Sequence, residues 1–459
     1  MRQRPIVVRA AQLTIGALVL VGASVARQPR ELSASNADPT FADDVAPIFY
    51  RNCTACHHSG GLAPFSLVEF DSAKAKLDET RDAVSAGIMP PWHAEGPHGV
   101  FRNDRRLSDA DRQTILRWID AGAKPGDLKK LPARPDYPVT WSMGTPDLIA
   151  KMQEEFTVPA SGMVEYQYFE IPTNLTEEKW VQAIEIVPGA REVVHHVLVY
   201  AKVPPNPNAA TTPAAPPQPR PAGTPAPQPL FLRNRAHGMP PEPTRLDTLH
   251  PPPRQLGALV ASLAPGTNVL EFPKGTAMRL RPGTVLTFQM HYTAHGHEMK
   301  DRSMIGFKFA KEMPDEEILA SQFTNGSFTI RAGTKDSVPS EITATQPVRI
   351  WGLLPHTHLR GTRWHYELIK PDSSREVILD VPRYDFNWQT YYLFAKPLDI
   401  PAGAKIESMA WYDNTPNNKS NPDPTKDVKW GDQTWEEMQY TGFLYSVPSR
   451  RLRPAPGGN

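Results

Sequence analysis

The sequence predicts a multidomain chain in which a small all-α domain precedes an all-β region long enough for two β-sandwiches. Three observations lead there. Helical spacing of apolar residues is found before residue 126, at Phe41, Val45, Ile48 and Phe49 and again at Ile115, Leu116, Trp118 and Ile119. Beyond residue 146, runs rich in Val, Ile, Tyr, Phe and Thr alternate with Gly and Pro. Proline itself accounts for 50 of 459 residues, about 11% against a usual ~5%, and it is excluded from helix interiors.

Composition also excludes some functions. Fifty Lys and Arg stand against 49 Asp and Glu, so charge gives no case for nucleic acid or an anionic membrane surface as a partner. A hydrophobic fraction of 40% with 10 Trp, 13 Tyr and 17 Phe excludes a wholly disordered chain. Two cysteines allow at most one disulfide.

Taken in order, Arg2, Arg4 and Arg9 precede an apolar run from Ala10 to Gly22, followed by Ser24-Val25-Ala26. That layout predicts a secretory signal peptide over residues 1–26, with an uncleaved anchor as the alternative; either places the rest outside the cytoplasm, periplasmic or secreted. Residues 38–126 form the helical domain. Within it, Cys53-Thr54-Ala55-Cys56-His57 has the C-x-x-C-H spacing of haem c attachment. Two thiols form thioethers to the vinyl groups and His57 supplies an axial nitrogen; a redox dithiol or half a zinc site is the alternative. Met89, in Gly87-Ile88-Met89-Pro90-Pro91-Trp92, looks like the Met-Pro loop of small class I cytochromes c, and a thioether opposite histidine suits electron transfer. His93 and His98 are its rivals. Ser108 with Asp111 predicts the capped start of a helix that stops near Gly122.

Residues 127–145 read as a Pro-punctuated linker. Two sandwiches are then expected over 146–310 and 311–449, with strands at Glu165–Ile171, Trp180–Val187, Val193–Val203, Val285–Tyr292, Ile305–Phe309, Val348–Leu354 and Trp364–Ile369. Residues 204–253 hold 17 prolines, too many for a core, and read as an exposed insertion in the first sandwich or a partner-binding polyproline segment.

Three histidine-bearing segments stand out in apolar surroundings: His195-His196, Gln289-Met290-His291-Tyr292 and His356-Thr357-His358. Imidazole ligates copper as well as zinc. His356 and His358 are two apart and would share one face of a strand. His195 and His196 are adjacent, so they can share a metal only at a bulge or strand end.

The order His195-His196, Gln289-Met290-His291-Tyr292, His356-Thr357-His358-Leu359-Arg360-Gly361 and Glu436-Glu437-Met438 resembles the ligand order of the copper type II, ascorbate-dependent monooxygenases, over about residues 146–447. The resemblance implies two jelly-roll sandwiches, each holding one copper, facing each other across a solvent-filled cleft. It implies an electron-transferring copper on His195, His196 and His291, and a dioxygen-reacting copper on His356, His358 and Met438. A soft thioether favours Cu(I), the state that must meet dioxygen; Met409 is the nearest rival to Met438. Two departures bear on the substrate. Where peptidylglycine hydroxylase reads a carboxylate with Arg and Tyr, this chain has Leu354 and Gly442, which points away from glycine-extended peptides and toward a less anionic small organic substrate. His295, His297 and His365 are expected only at the surface or behind the ligands.

The expected function is therefore an exported, dioxygen-dependent C–H hydroxylating copper monooxygenase. Its tethered haem would pass electrons from an external donor, an ascorbate-like reductant or a redox protein, to copper. The alternative is a non-catalytic copper-binding or electron-transfer protein on the same scaffold.

Overall fold

The computed structural model describes residues 37–97, 99–137, 141–162, 164–202, 232–234, 256–264 and 269–449. The expected signal peptide, His98 and the Pro-rich insertion, apart from the backbone of strand Leu232–Asn234, lie outside the described residues. The chain is mostly β with short helices toward its N-terminus. All seven expected β runs are strands, now bounded as Gln167–Pro172, Lys179–Val187, Val194–Lys202, Val285–Tyr292, Met304–Phe309, Val348–His356 and Gly361–Ile369. Among the described residues, no helix is long and apolar enough to cross a membrane.

The helical part follows its apolar spacing. A π-helical turn, Phe41–Val45, runs into the α-helix Ala46–Asn52, and Phe41, Val45, Ile48 and Phe49 are all buried. They meet the helix Asp109–Asp120 through Ile115, Trp118 and Ile119, with the Phe41 and Trp118 rings 5.8 Å apart. Ser108 caps that helix by accepting from the Asp111 N–H at 3.0 Å, and Gly122 leaves it with φ +84°, a left-handed turn that favours glycine. The chain beyond is tied back to its start. Trp118 Nε1 and the Phe41 N–H both donate to the Lys124 carbonyl, at 3.0 and 2.9 Å. Leu131, within the expected linker, packs on the same core.

The β region has two hydrophobic cores but one sheet common to both. Nine strands form it. Eight lie in the order Leu148–Lys151, Met304–Phe309, Lys179–Val187, Thr276–Leu280, Glu316–Thr324, Tyr440–Pro448, Val348–His356 and Tyr392–Ile400, with Leu270–Glu271 beside Lys179–Val187. The halves join where Thr276–Met278 pairs in parallel with Glu316–Ile318. A four-stranded sheet, Gln167–Pro172, Val285–Tyr292, Val194–Lys202 and Ala258–Leu263, covers the first half. Its Val197, Leu286 and Phe288 pack against Ile184, Ile305 and Phe307 of the long sheet. A five-stranded sheet covers the second half, placing Val338, Tyr366 and Ala410 against Ile350, Phe394 and Phe443. The expected boundary near residue 310 thus falls within one continuous sheet, and Ile318, Leu393 and Leu444 from beyond it still pack in the first core. Strand Leu232–Asn234, from the middle of the expected first-half insertion, pairs with Lys335–Ala344 of the second half.

The helical part is also built into the second sandwich. Trp92, Ala94 and Phe101 are buried in the second core, with Trp92 5.1 Å from the Tyr392 ring and Phe101 stacked 5.5 Å from Phe394. Main-chain bonds reinforce the contact: Glu95 N–H donates to the Asp380 carbonyl, Arg102 N–H to Leu393, and Ala395 N–H to Val100, each at 2.9 Å. Because Phe101 is 3% exposed, Phe101→Ala should cost about 3–5 kcal/mol. A denaturant titration followed by tryptophan fluorescence checks this, and a loss below about 1 kcal/mol would show that Phe101 does not anchor the helical part to the second core.

Candidate metal centres

The first centre forms where two strands stop matching. Val194–Lys202 and Val285–Tyr292 pair antiparallel with His196 opposite His291, but the next pair is Val194 with Tyr292. His195 is the extra residue of a bulge. The bulge turns a side chain that regular alternation would send to the far face, so adjacent histidines converge. His196 Nδ1 lies 3.2 Å from His195 Nδ1 and 3.2 Å from His291 Nδ1, and the three residues' ligating atoms lie within 4.8 Å of one another. Nitrogens sharing a tetrahedral metal at ~2.0 Å stand about 3.3 Å apart, so the spacing suits a single ion. A neutral imidazole carries one N–H, so one proton on His196 Nδ1 cannot serve both neighbours, whereas a metal can take all three lone pairs.

His356 and His358 form the second set, with ring centroids 5.1 Å apart. Their convergence does not come from strand alternation, as the spacing suggested. His356 is the last residue of its strand and His358 lies beyond it, in the approach to a turn. Glu437 holds that turn. Its carboxylate accepts from His358 N–H at 2.8 Å, Arg360 N–H at 2.6 Å and Met438 N–H at 3.3 Å. Burial pushes the Glu437 carboxyl up to about 7, against the opposing pull of those amides and the Arg360 charge. A Cβ at Gly361 would overlap the Thr357 side chain, which explains a glycine at that place. His358 Nδ1 pairs with the Glu436 carbonyl at 3.2 Å, while Nε2 is buried without a partner. A nitrogen oriented through its opposite ring atom and otherwise orphaned is the arrangement of a metal-ligating histidine.

Met438 follows Glu437 directly, half-buried, with its carbonyl accepting from Tyr412 Oη at 2.7 Å. Its rival Met409 stands on the outward face of strand Lys405–Asp413, lining a cavity with His365 and Glu407. His365 pairs with Asp380 at 3.2 Å, and His295 and His297 are exposed.

The two sets are not divided by an open cleft. The Phe386 ring lies 5.4 Å from the His195 ring, 6.3 Å from His196, 6.4 Å from His291 and His356, and 5.9 Å from His358. Its own loop is held by polar contacts, Asn387 Nδ2 donating to Asp385 Oδ1 at 2.9 Å and Gln389 Nε2 to the Phe386 carbonyl at 3.2 Å. Burial, and then the neighbouring imidazoles, lower His196 well below the ordinary histidine range and His291 to about 3; burial alone lowers His356 to about 4. All are held as neutral imidazole, the ligating form. Tyr440 lies opposite His356 in the sheet, its ring 6.0 Å away and its hydroxyl buried without a partner.

The C-x-x-C-H segment lines a third site. Cys53, Cys56, His57 and Met89 share one cavity of about 450 Å³, walled by Phe49, Leu67 and Val84. His57 Nδ1 bonds the Phe65 carbonyl at 3.2 Å, which directs Nε2 to ligation. Burial raises the Cys53 thiol to about 12 and raises Cys56 as well, opposite to the depression a reactive redox dithiol needs. Two unpaired thiols, an oriented imidazole and a thioether on an apolar cavity fit haem c. His93 lines a different cavity, so of the described candidates Met89 is the one that shares the cavity of Cys53, Cys56 and His57; His98 lies outside the described residues.

Sequence reasoning missed Glu437, Phe386, Asn387, Gln389 and Tyr440. Glu437 stood inside a quoted segment and was readable as a turn-holding acid; the others carried no ligand signature.

No protein-family model matches this chain, and neither does any curated protein. Among solved structures, the major capsid protein P2 of bacteriophage PM2 is 7% identical, covering 68% of this chain and 99% of its own, with a TM-score of 0.26. A Paenibacillus xanthan lyase is 10% identical over 71% of this chain and 28% of its own, with a TM-score of 0.17. Likenesses this remote carry no argument about fold or function.

Two measurements probe these sites. Glu437→Gln puts an amide donor against backbone N–H groups and should weaken the uptake of added copper at His356/His358, the metal tried on the expectation above, by about 10–100-fold relative to the other set. Competition with a chelator reads both affinities, and equal weakening of both sets would contradict the assignment. In protein matured with haem, the expected group, Met89→Ala should lower the reduction potential if Met89 is a ligand, because a thioether opposite histidine raises it; spectroelectrochemical titration checks the direction.

Proposed function

We propose that this is an exported haem- and copper-containing oxidoreductase, a dioxygen-dependent monooxygenase that hydroxylates a C–H bond of a small organic substrate. The observation that carries the reading is the gathering of two distinct histidine sets around one buried ring beside a cavity suited to haem c. His195, His196 and His291 hold one copper; His356, His358 and Met438 hold the other, on two jelly-roll sandwiches; Cys53, Cys56, His57 and Met89 hold the haem of a cytochrome c domain. When bound, copper supplies one-electron redox chemistry and dioxygen activation, and haem supplies electron transfer.

The overall reaction converts C–H, O2, two electrons and two protons to C–OH and water. An external one-electron donor, ascorbate-like or a redox protein, supplies the electrons through the haem domain. The chain's own residues keep the imidazoles neutral by burial, orient the His358 ring through the Glu436 carbonyl, hold its turn through Glu437, and exclude water with Phe386. Leu354 lies directly across the sheet from Gly442. The place read as a carboxylate reader in the resembling enzymes is therefore uncharged on both strands, which supports a less anionic substrate.

One observation favours a second reading, a non-catalytic copper-binding protein. Phe386 occupies the region between the sets, where the resemblance implied solvent. The two readings part on turnover. The first expects two coppers per haem and substrate-dependent dioxygen uptake against a panel of small C–H compounds, with uptake lost in His358→Ala while haem and one copper remain. Two coppers without uptake on any substrate would favour the second reading, and a stable copper-free protein would sink both.

A further inference from the structure

The loop between strands Arg375–Val381 and Tyr392–Ile400 touches all three candidate sites. Trp388 lines the cavity that holds Cys53, Cys56, His57 and Met89, and it is the one described lining residue that comes from the β region. Two residues earlier, Phe386 stacks on His195 with its ring 5.4 Å away and tilted by 21°. Asn387 lies between them in the chain and is pinned to Asp385.

Local bonds make this segment stiff. Asp385 Oδ1 accepts from both the main-chain N–H and the side-chain amide of Asn387 at 2.9 Å, and its carbonyl accepts from Trp388 N–H at 3.0 Å. Gln389 Nε2 donates to the Phe386 carbonyl at 3.2 Å, and Tyr384 Oη donates to the Thr357 carbonyl at 2.9 Å, tying the loop to the turn of His356 and His358. Phe386 and Trp388 also wall a second cavity together with Gly87 and Ile88, the two residues preceding Met89. The loop thus faces the axial-ligand segment on one side and the bulged histidines on the other.

We propose that Trp388, with Asn387 and Phe386, forms the electron bridge from the haem cavity to the His195/His196/His291 centre. The inference rests on the haem- and copper-binding reading above and adds the route. In the step, one electron leaves ferrous haem, which becomes ferric, and enters Cu(II), which becomes Cu(I); no bond breaks and no proton moves. Electronic coupling falls steeply with each gap that lacks bonded or π-stacked atoms. Trp388 supplies an aromatic ring at the wall of the cavity, and three consecutive residues carry the path from there by covalent bonds to Phe386, whose ring stacks on His195. Trp388 acts as a positioning and relay residue rather than a ligand, so its replacement should spare both metal sites.

The test uses the full chain, matured with haem and loaded with copper. Haem is reduced anaerobically in the copper-free protein, mixed with Cu(II), and its reoxidation followed by stopped-flow absorbance, with no substrate present. Trp388→Leu should slow the intramolecular phase by about ten-fold or more, a barrier rise of about 1.4 kcal/mol. Trp388→Phe, which keeps an aromatic ring, should recover much of the rate. Haem content, haem potential and copper stoichiometry should match the unaltered protein in both variants, which a merely structural role for Trp388 would not predict alongside a slower rate. Equal rates in Leu and Phe variants overturn the bridge while leaving the copper and haem reading intact. Failure of the unaltered protein to reoxidise its haem overturns electron delivery and the bridge together. If Trp388→Leu does not retain haem, Phe386→Leu is compared in the same way at the other end of the path, and an unchanged rate there overturns the proposal.

Discussion

Five imidazoles share one buried region around the ring of Phe386, and each has to stay uncharged to remain there. Burial means that a proton on any of them would meet both a desolvation cost and its neighbours' fields; His196 feels four of the others. Neutral imidazoles in turn crowd their ring nitrogens, since the Nδ1 of His196 stands 3.2 Å from two others and one proton on it cannot serve both. The structure answers by orienting rings rather than by satisfying every nitrogen. The Glu436 carbonyl takes one edge of His358, whose Nε2 stays buried without a partner, and the Nδ1 atoms of His195 and His291 both face that of His196. That polarity pattern is costly for a core and sensible for a site that receives cations.

The scaffold serves that requirement from two directions. His195 and His291 come from the small covering sheet of the first half, and His356 ends a strand of the long sheet in the second half. Independent sandwiches joined by a flexible connection would let these sets drift apart. Here one sheet continues through both, and the parallel pairing of Thr276–Met278 with Glu316–Ile318 removes a free edge from each half. Glu437 then couples the strand Tyr440–Pro448 to the His356–Arg360 turn through charge-assisted bonds to backbone N–H groups, which are stronger than neutral ones.

Legibility in the sequence followed the range of each interaction. Local patterns were readable: the Ser108 cap, the seven strands and the unusual density of histidine in apolar runs. The condition placed on His195-His196, a bulge or a strand end, is met by the register shift at His291. What escaped notice was long-range. Phe386 looks like any core aromatic in Tyr384-Asp385-Phe386-Asn387-Trp388, and nothing local says that its ring will sit against residues 28 to 191 positions away. The burial of Trp92 and Phe101 in the second core was equally invisible, because a loop inside one expected domain carries no mark of the sheet it will complete. The same-face rule for His356 and His358 reached the right pair by the wrong geometry, since a carboxylate 79 residues from His358 shapes that turn.

The docking of the helical part changes the physical character of the assembly. A tethered carrier on a Pro-rich linker would reach its acceptor by diffusion, at an effective concentration set by linker length and stiffness. In this chain Trp92 and Phe101 are buried among Tyr392 and Phe394, and the strand carrying those two rings begins two residues after Thr390, the end of the loop that holds Phe386 and Trp388. Detaching the helical part would expose these aromatic faces, and large buried aromatics each contribute several kcal/mol to holding such a contact. The cavity of Cys53, Cys56, His57 and Met89 and the histidine centres are therefore fixed in relation to each other by the same packing that completes the second core. The covalent connection through the linker keeps the parts together in one chain; the buried aromatics of residues 92–101 set where they meet.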